Sequence, residues 1–203
     1  MTEKPIINRK EQIQQTAAKL FREKGFEAST MRDIASNMNI EAASLYHHIK
    51  SKEEILENIC FGMGEKFMIA LREVNDIYFD AEKKLTMAIL YHVQIMTANL
   101  DEAAVFLNEW RSLQPVSLMK FKKARDQYES EFRVIIKDGK NEDVFDDVDE
   151  KFAALTVLSA VNSIYTWYNP KGRLSPNEIA NRLSTFILGG LRKKLVTDID
   201  FKP

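Results

Sequence analysis

The chain of 203 residues is long enough for one large domain or two small ones, and its 45% hydrophobic and 29% charged residues exclude wholesale disorder. Its net charge of −1 excludes indiscriminate binding of nucleic acid, because the whole molecule offers no cationic field. The single cysteine, Cys60, excludes an intrachain disulfide, and no apolar run approaches the roughly 20 residues of a membrane span. We therefore expect a soluble cytoplasmic protein that does not contact a membrane.

Four helices are predicted in the first 74 residues from apolar positions at helical spacing and from capping residues. The first covers residues 8–24. A second begins after Thr30, whose hydroxyl can cap it, and stops near Asn39, a residue type that tolerates left-handed dihedral angles. A third, short helix covers residues 41–48, and a fourth covers residues 52–74. The spacing indicates two short helices that are joined by a tight turn and braced by the helix in front of them.

Beyond residue 74 the pattern stays helical, and no segment alternates with a period of two for long. Helices are predicted over residues 80–99, 101–113, 116–137 and 150–168, with a last helix after Ser175. The segment 138–149 is polar and acidic and is predicted as a loop. We therefore expect an all-α protein of about nine helices, with a three-helix helix-turn-helix domain in residues 1–52 and a C-terminal helical domain in residues 53–203.

A helix-turn-helix reads DNA by placing its second helix in the major groove, which is about 12 Å wide. The third predicted helix starts with small residues that allow close approach, and side chains that can reach bases or phosphates follow. Lys52 begins the fourth helix, where its ammonium and the exposed N–H groups together favour a phosphate. The candidate DNA contacts here are Ala42, Ala43, Ser44, Tyr46, His47, His48 and Lys52. The two adjacent histidines point about 100° apart and cannot both ligate one metal ion, so no metal site is predicted.

The residues 30–35, Asn39 and Ile40, and the run Ser44-Leu45-Tyr46-His47-His48-Ile49-Lys50-Ser51-Lys52-Glu53-Glu54-Ile55-Leu56 resemble the N-terminal domain of TetR-family repressors. The resemblance covers roughly residues 9–60. It implies that the DNA contacts are Thr30, Arg32, Ser44, Tyr46, His48 and Lys52. The chain departs from the family pattern at Asn39, which replaces the usual turn glycine, and at Glu41 and Ala42. The last two indicate little direct base reading at the start of the recognition helix beyond contact with a thymine methyl.

In that family the C-terminal domain dimerises and holds an effector. Residues 106–111, 125–128, 132–136 and 162–176 look similar to the subgroup that regulates fatty-acid and related acyl-CoA catabolism. This resemblance implies an apolar acyl tail among methionine and aromatic residues, and a cation such as Arg111 or Arg125 on the CoA phosphates. The candidate ligand contacts are Trp110, Arg111, Arg125, Tyr128, Asn162 and Trp167. Alternatively, the aromatic members belong to the core and Arg125 pairs with Glu129.

The helices predicted over residues 150–168 and after Ser175 carry broad apolar stripes, which suit either a core or a dimer interface. Gly189 and Gly190 within the last helix indicate a close helix approach, because glycine costs roughly 1 kcal/mol there relative to alanine. A homodimer also matches the two half-sites of a palindromic operator. We therefore favour a four-helix dimer interface in this region.

The predicted function is a ligand-responsive transcriptional regulator that binds double-stranded operator DNA as a homodimer. We expect a repressor that is released by a small apolar or acyl-CoA-like effector, with the fourth helix as the lever between the two sites. No nucleophile–base pair or phosphate loop is evident, so we predict neither an enzyme nor a cofactor. Two alternatives stay open. The chain could activate transcription, or it could be a helical interaction module that does not bind DNA.

Overall fold

A computed structural model describes residues 8–193, which fold into helices joined by short connections. The helices are α1 Arg9–Lys24, α2 Met31–Asn37, α3 Ala42–Tyr46, α4 Lys52–Asp76, α5 Ala81–Ala98, α6 Leu100–Asn108, α7 Pro115–Asn141, α8 Glu150–Asn162, α9 Ile164–Trp167 and α10 Pro176–Leu191. A single 3₁₀ turn, Trp110–Ser112, lies between α6 and α7. Nine of these α-helices have five residues or more. The predicted all-α architecture of about nine helices is therefore confirmed for the described part of the chain.

Capping residues begin several of these helices where the sequence predicts them. The Thr30 hydroxyl accepts a bond from Asp33 N at 3.1 Å, and Asp33 Oδ2 accepts one from Thr30 N at 2.9 Å. The Thr30 hydroxyl also donates to the Asp33 carboxylate, and this bond, together with the one from Thr30 N, lowers the pKa of the Asp33 carboxyl. Ser175 and Glu178 form the same reciprocal box at α10. Asn39, with φ 53°, takes the left-handed conformation that closes the turn between α2 and α3.

Four predicted helix ends are wrong. The helix α7 ends at Asn141, four residues past its predicted end, so the first residues of the predicted loop 138–149 are helical. The third helix ends at Tyr46, two residues before the predicted end, and α6 ends at Asn108 because the chain tightens into the 3₁₀ turn before α7. The predicted helix over residues 150–168 is interrupted at Ser163, which separates α8 from α9. The Ser163 hydroxyl donates to Ala160 O at 2.8 Å, a local bond of the kind that competes with regular helix geometry.

Two hydrophobic clusters hold the helices together, and α4 contributes to both. The first cluster joins α1 to α3 with the N-terminal half of α4, with α6 and with the start of α7; its large members include Phe21, Leu45, Ile59, Phe67 and Phe121. The second joins Leu71 of α4 to α5, α7, α8 and α10. The predicted domain boundary after residue 52 coincides with the start of α4. It stays a prediction, since one continuous core crosses it.

The connection between α7 and α8 is held against the end of α7 and the end of α10. A Cβ at Gly139 would lie 2.1 Å from Phe145 Cδ2, so only glycine leaves room for the buried Phe145 ring. Phe145 pairs with Arg192 in an isolated bridge, and Arg192 makes two 2.8 Å bonds to the Glu82 carboxylate of α5. These contacts orient α10 on α5 and α8. They thereby determine which side of α10 faces the solvent.

Candidate nucleic-acid interface and ligand pocket

The segment from α1 to α3 forms a helix-turn-helix whose inner face is buried. Ile34, Ala35, Leu45 and Ile49 are inaccessible to solvent or nearly so, and they pack on α1. Ile40 N donates to Ala35 O at 3.1 Å, which closes the tight turn between α2 and α3. Because the apolar side chains point inward, the opposite face of α3 is presented to solvent.

Most of the predicted DNA contacts lie on this exposed face. Tyr46 is 56% exposed, and the other exposed members are Thr30, Arg32, Ala43, Ser44, His47 and His48. Ala42 and Lys52 are half-buried. A shallow groove of about 520 Å³ brings together the start of α2, the end of α3 and the start of α4; its lining includes Thr30, Arg32, Tyr46, Lys50 and Lys52.

Two of the predicted contacts are already bonded within the protein. The Lys52 ammonium donates to Phe26 O at 2.9 Å and lies 4.2 Å from the centroid of the Phe26 ring. It therefore braces the loop between α1 and α2. The Thr30 hydroxyl donates to Asp33 Oδ2 at 2.7 Å as part of the capping box. For these two residues a contact with DNA stays a prediction, and it competes with the internal bonds.

A cavity of about 700 Å³ lies between α4, α5, α6, α7 and α8. Its walls are mostly aromatic and aliphatic, with Phe61, Phe67, Met68, Phe106, Trp110 and Phe121 among them. Arg72, Lys122 and Arg125 also line it and are exposed to solvent. The volume falls within the range of about 300–1,000 Å³ that is usual for small-molecule sites. The carboxylate side chains of Glu65, Asp126 and Glu129 line it as well. The cavity can therefore hold an apolar group, and charged side chains of both signs surround it.

One part of the cavity wall is polar, and it is built from three helices. The Tyr128 hydroxyl of α7 is 3.0 Å from His92 Nδ1 of α5, and His92 Nε2 is 3.1 Å from Asn162 Oδ1 of α8. The Phe67 ring stacks on the imidazole at 4.3 Å. Burial lowers the pKa of His92 to about 4 and raises the pKa of the Tyr128 hydroxyl, so both groups are neutral near pH 7.

Two family models cover most of the described chain. The model of bacterial regulatory proteins of the tetR family matches residues 13–59, and the model of the tetracyclin repressor-like C-terminal domain matches residues 79–191. The chain belongs to the TetR family. It is a DNA-binding transcriptional regulator and not an enzyme, as predicted from the sequence, and the predicted resemblance to the family is confirmed.

Similar proteins support this assignment along nearly the full chain. The transcriptional repressor KstR2 of Mycolicibacterium smegmatis is 25% identical over 186 residues, which cover 91% of each chain. The crystal structure of the TetR-family regulator PfmR from Thermus thermophilus is 32% identical, with a TM-score of 0.81; the match covers 92% of this chain and all of PfmR. The structure of AibR in complex with isovaleryl coenzyme A and operator DNA is 26% identical, with a TM-score of 0.78 over 88% of this chain and 97% of AibR.

Four of the six predicted ligand residues line the cavity of this chain: Trp110, Arg125, Tyr128 and Asn162. Arg111 lies outside the lining, but its guanidinium is 4.4 Å from the centroid of the Trp110 ring, and that of Arg125 is 4.9 Å from the same ring. Trp167 also lies outside the lining, is 50% exposed and donates to Ser163 Oγ at 3.3 Å. The alternative pairing of Arg125 with Glu129 is not formed, since Glu129 pairs with Arg133 at 3.3 Å.

Sequence reasoning did not select His92 or Lys50 for these sites. His92 is only 2% exposed and lines the cavity. Its partners are 36 and 70 residues away in the chain, so no local pattern marks it. Lys50 is exposed in the groove of the helix-turn-helix. Its position two residues before Lys52, in the run that resembles the family, could have indicated it as a DNA contact.

Two kinds of feature are absent from the described residues: a membrane-spanning helix and a cluster of metal ligands. Across residues 8–193, no helix combines the length and apolar character that crossing a membrane requires. In the same range, His, Cys, Asp and Glu side chains do not gather in groups of three or more that could hold a metal ion.

Proposed function

We propose that this regulator represses transcription by binding operator DNA as a homodimer, and that an acyl-CoA-like effector in the cavity releases it. The observation that carries the proposal is the shared core. The helix-turn-helix packs on α4 and α6, and the same two helices line the cavity. A ligand that displaces them acts on the DNA-binding helices directly. The proposed location is the cytoplasm, which is consistent with a transcription regulator.

For DNA binding, α3 supplies small residues that enter the major groove of DNA, and the segment from α2 to α4 supplies phosphate contacts. Ala42, Ala43 and Ser44 allow close approach of the α3 backbone to base edges. Arg32, Tyr46 and Lys50 are exposed around the groove and can bond phosphates. Repression, as opposed to activation, is supported by the KstR2 relative, which is a transcriptional repressor.

The proposed dimer face lies on α8 and α10. Phe152 and Leu155 of α8 and Phe186 of α10 are 73%, 45% and 83% exposed. Gly189 and Gly190 are exposed on the same helix, and a Cβ at either would meet no atom within 4 Å. Within one chain these glycines therefore serve no close approach. A second copy packed on this face would bury the three apolar side chains and bring two helix-turn-helix units onto one operator.

For the effector, the apolar walls suit an acyl group and the nearby cations suit the CoA phosphates. Arg111 and Arg125 flank the ring of Trp110, and burial together with the charge of Arg111 lowers the pKa of the Arg125 guanidinium. The neighbouring carboxylates Asp126 and Glu129 act in the opposite direction. A bound anion would add to their effect and relieve the repulsion between the two guanidinium groups. AibR, whose structure holds isovaleryl coenzyme A, is similar along nearly its whole length.

The proposed test measures binding of the DNA upstream of the protein's own gene by fluorescence anisotropy. Wild type is expected to bind and to be released by medium-chain acyl-CoA thioesters, and less by the free acids. The variant Arg32→Ala is expected to bind less tightly and to flatten the dependence of log K on log salt by about 2 per dimer, since one phosphate contact per protomer is lost. Arg173→Ala, in the exposed loop before α10, is the matched control. If wild type does not bind, an interaction module is favoured instead.

The route from the cavity to the DNA-binding helices runs through α6. Its C-terminal part lines the cavity with Phe106 and Leu107. Its first turn contacts α1, where Asp101 pairs with Arg22 at 2.8 Å and Glu102 accepts from Gln14 at 2.9 Å. A shift of α6 is therefore transmitted to α1, which carries the helix-turn-helix. We propose α6 as the second lever beside α4.

The variant Glu102→Ala is expected to uncouple the two sites. It removes the bond to Gln14 and the 3.4 Å ion pair with Lys66 on α4, while the cavity lining is left unchanged. Acyl-CoA should then bind with nearly the wild-type affinity and shift operator affinity at least fivefold less, because such couplings are about 1–3 kcal/mol. Glu131→Ala, which removes a 2.9 Å bond between α7 and Asn75 of α4, is the control. Undiminished release in Glu102→Ala would contradict the role of α6.

A further inference from the structure

The polar part of the cavity wall has a defined direction of hydrogen bonding. Asn162 Oδ1 can only accept, so His92 Nε2 carries the hydrogen and donates to it at 3.1 Å. A neutral imidazole then has a lone pair on Nδ1, which accepts from the Tyr128 hydroxyl at 3.0 Å. Each of the three side chains therefore fixes the orientation of the next, and the Phe67 ring stacked on His92 holds the imidazole in place.

This arrangement leaves the Asn162 amide nitrogen directed away from the network. Within residues 8–193, Nδ2 of Asn162 makes no hydrogen bond, and the residue lines the cavity. Ser159, one turn earlier on α8 and also in the lining, differs in that its hydroxyl donates to Leu155 O at 2.7 Å. The wall next to His92 therefore offers an N–H donor to whatever occupies the cavity.

The chemistry of this wall favours one kind of ligand group. His92 and Tyr128 are neutral near pH 7, so a carboxylate against them would lack a counter-charge and would be costly to bury. A carbonyl oxygen accepts hydrogen bonds and carries no charge, and it therefore matches the amide N–H. The cations at the cavity, Arg72, Lys122 and Arg125, are on exposed side chains, where an anionic carrier remains in contact with water.

We propose that Asn162 recognises a carbonyl oxygen on the acyl part of the effector, and that His92 and Tyr128 are positioning residues that orient its amide. This proposal rests on the proposed effector function of the cavity and adds a selectivity rule to it. The carbonyl has two sources with the same chemistry: the thioester itself, or a ketone farther along the acyl group.

Three probes separate these sources by isothermal titration calorimetry on the full-length protein. All three probes share the amide carbonyls of the CoA arm and differ in the six-carbon chain. There, hexanoyl-CoA carries the thioester carbonyl, the thioether S-hexyl-CoA carries no carbonyl, and S-(5-oxohexyl)-CoA carries only the ketone. Wild type is expected to bind one carbonyl-bearing probe about 3- to 10-fold more tightly than S-hexyl-CoA, which is the usual contribution of one hydrogen bond. Asn162→Leu should bring this ratio close to 1. The control Asn141→Leu, at an exposed position at the end of α7 outside the cavity lining, should leave the ratio unchanged.

The outcomes distinguish a failure of the carbonyl proposal from a failure of the effector function on which it rests. If wild type binds none of the CoA probes, the effector function itself fails. If all three bind equally to wild type, or if the ratio survives in Asn162→Leu, the carbonyl proposal is overturned while the effector function stands. Tyr128→Phe provides a second variant if Asn162→Leu does not fold. Removal of the hydroxyl frees His92 to change tautomer, so the ratio should fall there too, and an unchanged ratio overturns the proposal.

Discussion

Replacement of Phe186 by glutamate is expected to convert the proposed dimer to a monomer and to weaken operator binding about 100- to 10,000-fold. Phe186 is 83% exposed on α10, and Phe152 and Leu155 are exposed on α8, a helix that contacts α10. A carboxylate there would be buried without a partner in a dimer. Two half-sites that are bound by linked helix-turn-helix units gain affinity from effective concentration, by a factor of about 10²–10⁴, and a monomer loses this factor.

Sedimentation velocity gives the oligomeric state, and fluorescence anisotropy on the operator gives the affinity. The matched control is Tyr78→Glu, because Tyr78 is a fully exposed aromatic residue in the connection between α4 and α5, outside the proposed face. It should remain dimeric and bind DNA like wild type. A Phe186→Glu variant that sediments as a dimer would place the interface elsewhere on the molecule.

Acidification from pH 7 to pH 4 is expected to reduce the free energy of unfolding of wild type by about 3 kcal/mol more than that of His92→Gln. His92 has a folded-state pKa of about 4 and an ordinary value of 6.5. Between these values the unfolded chain binds the proton and the folded chain does not. The stability is therefore fully present above pH 6.5 and is lost as the pH falls towards 4.

Urea unfolding followed by circular dichroism at pH 7, 5.5 and 4 measures this difference. The comparison with His92→Gln removes the contribution of the carboxyl groups, which titrate in both proteins. His47→Gln is the control, since His47 is exposed on the recognition surface and should show the wild-type pH dependence. Equal acid sensitivity of wild type and His92→Gln would mean that His92 is protonated in the folded protein at higher pH.

The helix-turn-helix could be predicted in detail because its signals are local. The bonds between Thr30 and Asp33 that start α2 join residues three apart, and Asn39 closes the turn by its own backbone preference. The apolar residues that pack on α1 recur at helical spacing. The length of α3 was overestimated by three residues, one at its start and two at its end.

The predicted contacts within this unit are decided by packing rather than by spacing. Lys52 was predicted to meet a phosphate, but its ammonium also reaches Phe26 O, 26 residues away. A sequence motif does not indicate which internal acceptor lies within reach of a long side chain. The exposure of Tyr46 and Arg32, by contrast, follows from the helix face opposite the apolar positions.

The apolar residues of α8 and α10 could likewise be predicted only in part. The sequence identifies both as apolar, and it leaves open whether each side chain is core or interface. In the folded chain Val161, Ile187 and Leu191 are buried, whereas Phe152 and Phe186 are exposed. Which side of each helix meets α5 depends on how α10 is oriented, and contacts such as that between Arg192 and Glu82 set this orientation.

The sequence by itself determined the family, the all-α fold and the helix-turn-helix, because helix caps, turns and apolar periodicity act over a few residues. It also selected Trp110, Arg125, Tyr128 and Asn162 by resemblance, and these residues do line one cavity. Only the tertiary structure decided that His92 joins Tyr128 to Asn162 and that Trp167 lies outside. Such contacts connect helices that are far apart in the chain, and their geometry arises from packing, which no local pattern records.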